Sequence, residues 1–127
     1  MRGYVGVSVD ELEALFVSTS ISIPTLFAPT PEFIATHSEL GAEEHEFILS
    51  MLAAEESLEL REAGQGYVLA VEVPNSQIKE VGADSVSIDA PISLEWIACI
   101  FLVSPDGEEL TWFAIDEVPS MLPSWRK

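Results

Sequence analysis

Cations are scarce in this chain: five Lys and Arg stand against 22 Asp and Glu in 127 residues, a formal charge of −17 at pH 7. The deficit argues against partners that are themselves arrays of anions. Phosphate backbones and anionic lipid headgroups are repelled over a Debye length of about 8 Å at physiological ionic strength. No nucleic-acid partner and no membrane partner are therefore expected, and a basic protein is the kind of partner the charge favours. Cysteine is almost absent too. Cys99 alone permits neither an intrachain disulfide nor a cysteine metal cluster, and it lies inside the apolar run Ile97 to Val103. That run falls far short of the ~20 residues a membrane-spanning helix needs. The stretch from Met1 turns acidic at Asp10 without a signal-like apolar region. A soluble, cytoplasmic protein is the expectation.

Motifs of known chemistry are also missing. There is no Gly-x-Ser-x-Gly elbow, no P-loop and no Gly-x-Gly-x-x-Gly. Gly64-Gln65-Gly66 leads into a strand pattern, so it lacks the helix N-terminus that binds phosphate. Cys99, within an apolar strand pattern, reads as an inert core thiol.

What the chain does have is apolar content, 48%. Charge of this density without it would leave a solvated, disordered chain. The length suits one domain, residues 1–127, around one core. Tyr4, Val5 and Val7 predict an opening strand. Ser8 with Glu11 has the spacing of a capping box, starting a helix from about Val9 to Val17. Ser18 to Pro29 reads as an ordered connection, and Thr30-Pro31 starts a short helix to about His37. A long helix follows from Ala42 to about Ala63, with Phe47, Ile48, Met51, Leu52, Ala54 and Leu58 as its inward stripe.

Tyr67 to Val73 is apolar at nearly every position and predicts a strand buried on both faces. A helical turn is expected to run to about Val81, then a short strand at Val86 to Ile88. The Pro91 to Glu95 connection leads into a strand from Trp96 to Val103. Ser104-Pro105-Asp106-Gly107 is turn chemistry, and Leu110 to Ile115 returns as the hairpin partner. Asp116 is expected to cap a final helix through Leu122, with Pro119 in its first turn. The order predicts an α+β fold: a mixed or antiparallel sheet of four to five strands with helices packed mainly on one face.

Nine of the 22 acids lie between Glu32 and Glu62. They read first as the solvated face of the long helix. The sharper reading is a docking face for a basic protein, built on Glu55, Glu59 and Glu62 one turn apart. His37 and His45 flank Glu39, Glu43 and Glu44, but they stand eight positions apart with Gly41 between them and form no metal-binding motif. No metal and no cofactor are predicted. Trp112 with Asp116 and Glu117 at the hairpin's end, and Glu72 on the central strand, are the candidates for a pocket. No catalytic residue is assigned.

Met1-Arg2-x-Tyr4-Val5, Asp10-Glu11-Leu12, Ala28-Pro29-Thr30-Pro31, Val68 to Pro74, Ala90 to Leu94, Leu110 to Ala114 and Glu117-Val118-Pro119 follow one another in this order. Together they resemble a family of small acidic actinobacterial proteins of unknown function. Phe113 stands where that pattern has tyrosine. The resemblance implies an intracellular bacterial protein with no assigned activity and supplies no catalytic residue. The leading expectation is a non-enzymatic interaction domain with an acidic helical face. The alternative is a small enzyme or ligand-binding domain with a pocket between sheet and helices, using Glu72, Asp116 or Glu117. Nucleic-acid mimicry is a third reading.

Overall fold

The computed structural model describes residues 1–61, 64–89 and 91–126. Strand β1 (Arg2–Val7) leads into helix α1 (Val9–Ser18) through the predicted capping box. Ser8 Oγ accepts the Glu11 N–H at 3.1 Å, and Glu11 Oε1 accepts the Ser8 N–H at 3.0 Å. Two orphan amides of the first helical turn are thereby satisfied. The stretch read as a connection contains two short strands, β2 (Ser20–Ile21) and β3 (Thr25–Phe27). Thr30 caps α2 (Pro31–Thr36) as expected, accepting the Phe33 N–H at 3.1 Å. Helix α3 spans Ala42–Leu60, and the predicted last residue, Ala63, lies outside the described residues.

Strand β4 (Gly66–Glu72) is followed by a 3-10 turn at Asn75–Gln77 and by β5 (Ile78–Val81) where helix was expected. Strands β6 (Ser85–Ile88) and β7 (Ile92–Ser93) lead to a second 3-10 turn, Leu94–Trp96, so Trp96 precedes strand β8 (Ile97–Val103). The hairpin turn carries Gly107 at φ 79, a left-handed conformation in which a side chain would be strained. Strand β9 (Leu110–Phe113) stops short of Ile115, which begins a third 3-10 turn, Ile115–Glu117. Helix α4 (Val118–Trp125) has no side-chain cap from Asp116 and outlasts the expected end at Leu122. It does so although Pro123 lacks the N–H for a helical bond.

The sheet is larger than the sequence suggests. Seven strands run in the order β5-β6-β3-β1-β4-β8-β9, with every pairing antiparallel, and β2 and β7 form a separate two-stranded ribbon. Strands β2, β3 and β7, of two or three residues, leave no legible alternation, and β5 is exposed along Lys79–Val81, so these four escape a pattern reading. Helices cover both faces, not mainly one. Along β4, Tyr67, Leu69 and Val71 join Val5, Val7, Leu12, Leu15, Val118, Leu122 and Trp125 in one core cluster. Val68 and Ala70 join Tyr4, Phe33, Leu49, Ala53, Ala54, Cys99 and Val103 in the other. Because successive strand residues point to opposite sides, α1 and α4 cover one face while α2 and α3 cover the other.

The predicted inward stripe of α3 is rotated. Phe47 is 63% exposed, and the buried residues are His45, Leu49, Ser50, Ala53, Ala54 and Ser57. A Cβ built on Gly6 of β1 would stand 2.5 Å from the Ala53 carbonyl oxygen and 2.9 Å from Ser57 Cα. Helix backbone therefore rests on strand backbone, and only small residues fit the contact. Ile48, Leu52 and Leu58 of the expected stripe pack beside it, partly buried. Gly6→Ala should destabilise the fold by about 3 kcal/mol or more, the severe end of overpacking costs. Gly82→Ala, whose Cβ would meet only the Ser85 carbonyl at 3.3 Å and hydroxyl at 3.5 Å, should cost far less. Urea denaturation of both variants checks this, and equal midpoints would contradict the backbone contact.

Candidate interaction surface

Rotation of α3 puts Phe47 and Met51 beside the sheet's far end, where β8 and β9 continue past the helix. A cleft of about 380 Å³ lies between them, with Phe47, Met51, Phe101 and Leu110 as its apolar walls and Glu43, Glu46 and Glu108 also lining it. Trp112, 57% exposed, stands directly across from Phe101 in the β8–β9 register and so shares its face. The phenol of Tyr4 donates to Glu46 Oε1 at 3.0 Å. Burial, reinforced by that carboxylate, keeps the Tyr4 hydroxyl protonated well above its ordinary range. Glu108 is set by the turn: Asp106 Oδ1 accepts both Ser104 Oγ at 2.6 Å and the Glu108 N–H at 3.0 Å. These two bonds hold Asp106 below the usual carboxylate range.

A larger cleft, about 770 Å³, opens between the end of β1, the start of β4, the hairpin turn and α4. Two of the few cations line it, yet both are engaged within the chain. Arg61 donates to the carbonyls of Gly64, Leu58 and Pro105, at 2.5, 2.9 and 3.2 Å, which ties the end of α3 to the hairpin turn. Arg126 pairs with Asp10 at 2.9 Å and Glu13 at 3.4 Å. Tyr67 Oη accepts from Gln65 Nε2 at 3.1 Å.

The residues singled out in the sequence are dispersed. Glu55 and Glu59 are exposed on α3, and Glu62 lies outside the described residues. Glu72 is exposed and held by Arg2 at 2.6 Å across the β1–β4 pair. Asp116 and Glu117 are exposed in the 3-10 turn before α4, and neither cleft is lined by Glu72, Trp112, Asp116 or Glu117. His37 and His45 do converge, with ring centroids 6.5 Å apart and the ring of Phe33 against both. Nε2 of His45 donates to the His37 carbonyl at 2.8 Å, so that nitrogen is committed to the fold. Among the described residues no three His, Cys, Asp or Glu side chains are grouped to hold a metal ion. Burial pushes the Cys99 thiol up, with the Trp112 side chain beside it acting in the opposite direction. No helix among the described residues is long and apolar enough to cross a membrane.

The sequence model of a family of unknown function, DUF6912, matches residues 1–108. The chain belongs to the DUF6912 family. Searches of curated proteins and of solved structures return no significant match. The matched part of this DUF6912 chain contains both faces of α3, the strands from β1 to β8 and the hairpin turn; β9 and α4 lie beyond it.

Glu56 is an ionisable group of this DUF6912 chain that the sequence does not single out. It is half-buried, and its Oε1 accepts the N–H of buried Gly6 at 2.8 Å. Burial raises its carboxyl above the ordinary range, and the Gly6 bond partly offsets the shift. A glutamate on the predicted polar side of a helix gives no sign of such a role; only the close approach at Gly6 supplies it. Glu56→Ala should cost about 1–3 kcal/mol, because it strands a buried amide. Glu56→Gln keeps an acceptor and drops the charge. Since the folded carboxyl lies above its unfolded value of 4.5, the contribution of Glu56 to stability falls as pH rises from there through the folded value, and Glu56→Gln lacks that loss. The advantage of Glu56→Gln over wild type should therefore grow from pH 4 to pH 7 in urea titrations. A gap that widens toward pH 4 would contradict the assignment.

Proposed function

We propose that this chain is a single, non-enzymatic protein-interaction domain whose docking surface is the acid-edged aromatic cleft between α3 and the β8–β9 hairpin. The observation that carries this reading is Phe47, 63% exposed on the cleft wall with Glu43, Glu46 and Glu108, while Trp112, 57% exposed, stands on the same sheet face across from Phe101. Aromatic side chains left in water at a cleft are the residues that anchor interfaces, and surrounding charge selects the partner. The partner is a basic, amphipathic protein segment, in keeping with the net charge of −17. Nucleic acid and anionic membrane are disfavoured by the same field. We place the protein in the cytoplasm of an actinobacterial cell, on the reduced single cysteine and the whole-chain resemblance. Glu55, Glu59 and Glu62 then contribute to the long-range field and to solubility, with direct contact falling to the cleft.

Phe47→Ser tests this reading because an exposed side chain can be removed within about 0.5 kcal/mol of wild-type stability. Wild type, Phe47→Ser and a Glu55→Gln/Glu59→Gln pair are to be compared in capture from native cytoplasm, with a high-salt wash and mass spectrometry. A protein of high isoelectric point should be held by wild type, released by salt, and weakened at least about tenfold by Phe47→Ser, the cost of losing an aromatic anchor. The Glu55/Glu59 pair should keep most of the binding. Equal retention by Phe47→Ser, or loss only in the Glu55/Glu59 pair, would overturn the cleft.

A further inference from the structure

The two edges of the seven-stranded sheet are treated differently. At one edge β5 carries Lys79 and Glu80 in solvent and a register break between Ile78 and Glu80. Charges and bulges of this kind keep an edge from pairing with another chain. At the other edge β9 reads Leu-Thr-Trp-Phe, with no charge, no proline and no register break against β8. Among the described residues, no backbone hydrogen bond engages β9 other than those of its pairing with β8. Leu110 lines the aromatic cleft and Trp112 lies on the same face, while Phe113 turns to the opposite face against Trp125, with ring centroids 5.2 Å apart.

We propose that β9 is the site where a partner segment adds as an eighth, extended strand, an inference that rests on the cleft reading above and gives it a binding mode. Main-chain bonds to the open edge would supply register, and alternate side chains of the added strand would lie beside Leu110 and Trp112. The ends of the edge define the partner's charge. Exposed Glu108 and Glu109 precede β9, and exposed Asp116 and Glu117 follow it. A second copy of this chain is the wrong occupant in either direction. Antiparallel self-pairing sets Glu108 and Glu109 against Asp116 and Glu117 at both ends, and parallel self-pairing sets each acidic pair against itself. The occupant that fits is a short β-forming segment of another protein with Lys or Arg on both sides of an uncharged stretch.

The probe is an end-blocked peptide of two lysines, alternating valine and threonine over four residues, and two lysines. A second peptide replaces its threonines by proline, which keeps the charge and cannot donate to a ladder. A third carries glutamate for lysine. The lysine peptide should bind at low salt and slow amide hydrogen exchange at the outward-facing residues of Leu110–Phe113. The proline and glutamate peptides should each bind at least about tenfold more weakly, a factor worth roughly one hydrogen bond or ion pair. Equal binding of the proline peptide, protection confined to α3, or no binding of the lysine peptide would overturn strand addition. Binding of both basic peptides weakened by Phe47→Ser would leave the cleft standing without the strand. β9 protection unchanged in Phe47→Ser would leave the strand standing without the cleft.

Discussion

The contact between α3 and β1 at Gly6 governs the rest of the molecule. A strand residue without a side chain lets the helix settle until the Ala53 carbonyl and the Ser57 backbone reach the sheet. The helix must then present Ala53, Ala54 and Ser57 inward, and its larger residues are displaced to the flanks. Phe47 becomes exposed because of this rotation, and Glu56 comes within reach of the Gly6 amide. One steric constraint therefore fixes the helix phase, the half-buried position of Glu56 and the aromatic wall of the candidate surface. A helix held farther off by larger residues would have no reason to leave Phe47 in water.

The two-sided core explains how so acidic a chain remains folded. Self-repulsion at −17 opposes compaction, and the cations do little to neutralise it. Arg2 pairs with Glu72, Arg126 with Asp10 and Glu13, and Arg61 binds carbonyls at the end of α3. Exposed pairs of this kind add little to stability, because water and salt screen them. What holds the chain is β4, buried along Gly66–Val71, with Leu69 and Val71 in one cluster and Val68 and Ala70 in the other. The acids are left mostly on the outside, in an excess that the few cations do not neutralise.

Local chemistry was legible in the sequence, and long-range placement was not. The Ser8–Glu11 box, the Thr30-Pro31 start, the turn ending at Gly107 and the doubly buried central strand each depend on a few adjacent residues whose backbone preference is strong. The sheet was undercounted by β3, three residues long, and β5, exposed along Lys79–Val81, neither of which shows a buried and a solvent face in alternation, while β2 and β7 form a ribbon of two residues each. The α3 stripe was misread for a different reason. Helical periodicity ranks positions by side-chain size, whereas the inward face here was chosen by what Gly6 admits. His37 and His45, eight positions apart, meet through Phe33 because the α2–α3 connection folds back, a geometry no spacing rule encodes.

The same distinction bears on where function lies. The acidic stretch from Glu32 to Glu62 drew the sequence reading toward Glu55, Glu59 and Glu62, because charge density is visible without a structure. Charge on a convex helix face attracts from a distance but offers no shape to recognise. The β8–β9 side combines features from three separate parts of the chain: Glu43 to Met51 on α3, Phe101 on β8, and Glu108 to Trp112 at the hairpin's return. It has apolar walls, acids along them and an edge whose main-chain bonds are still to be made. In the proposed mode each has its own part: the acids would bring a basic segment near, the aromatics would remove its apolar side chains from water and the edge would fix its direction. The chemistry proposed for a partner thus rests on the sheet edge and the helix phase together, and the net charge only widens the range over which it would be felt.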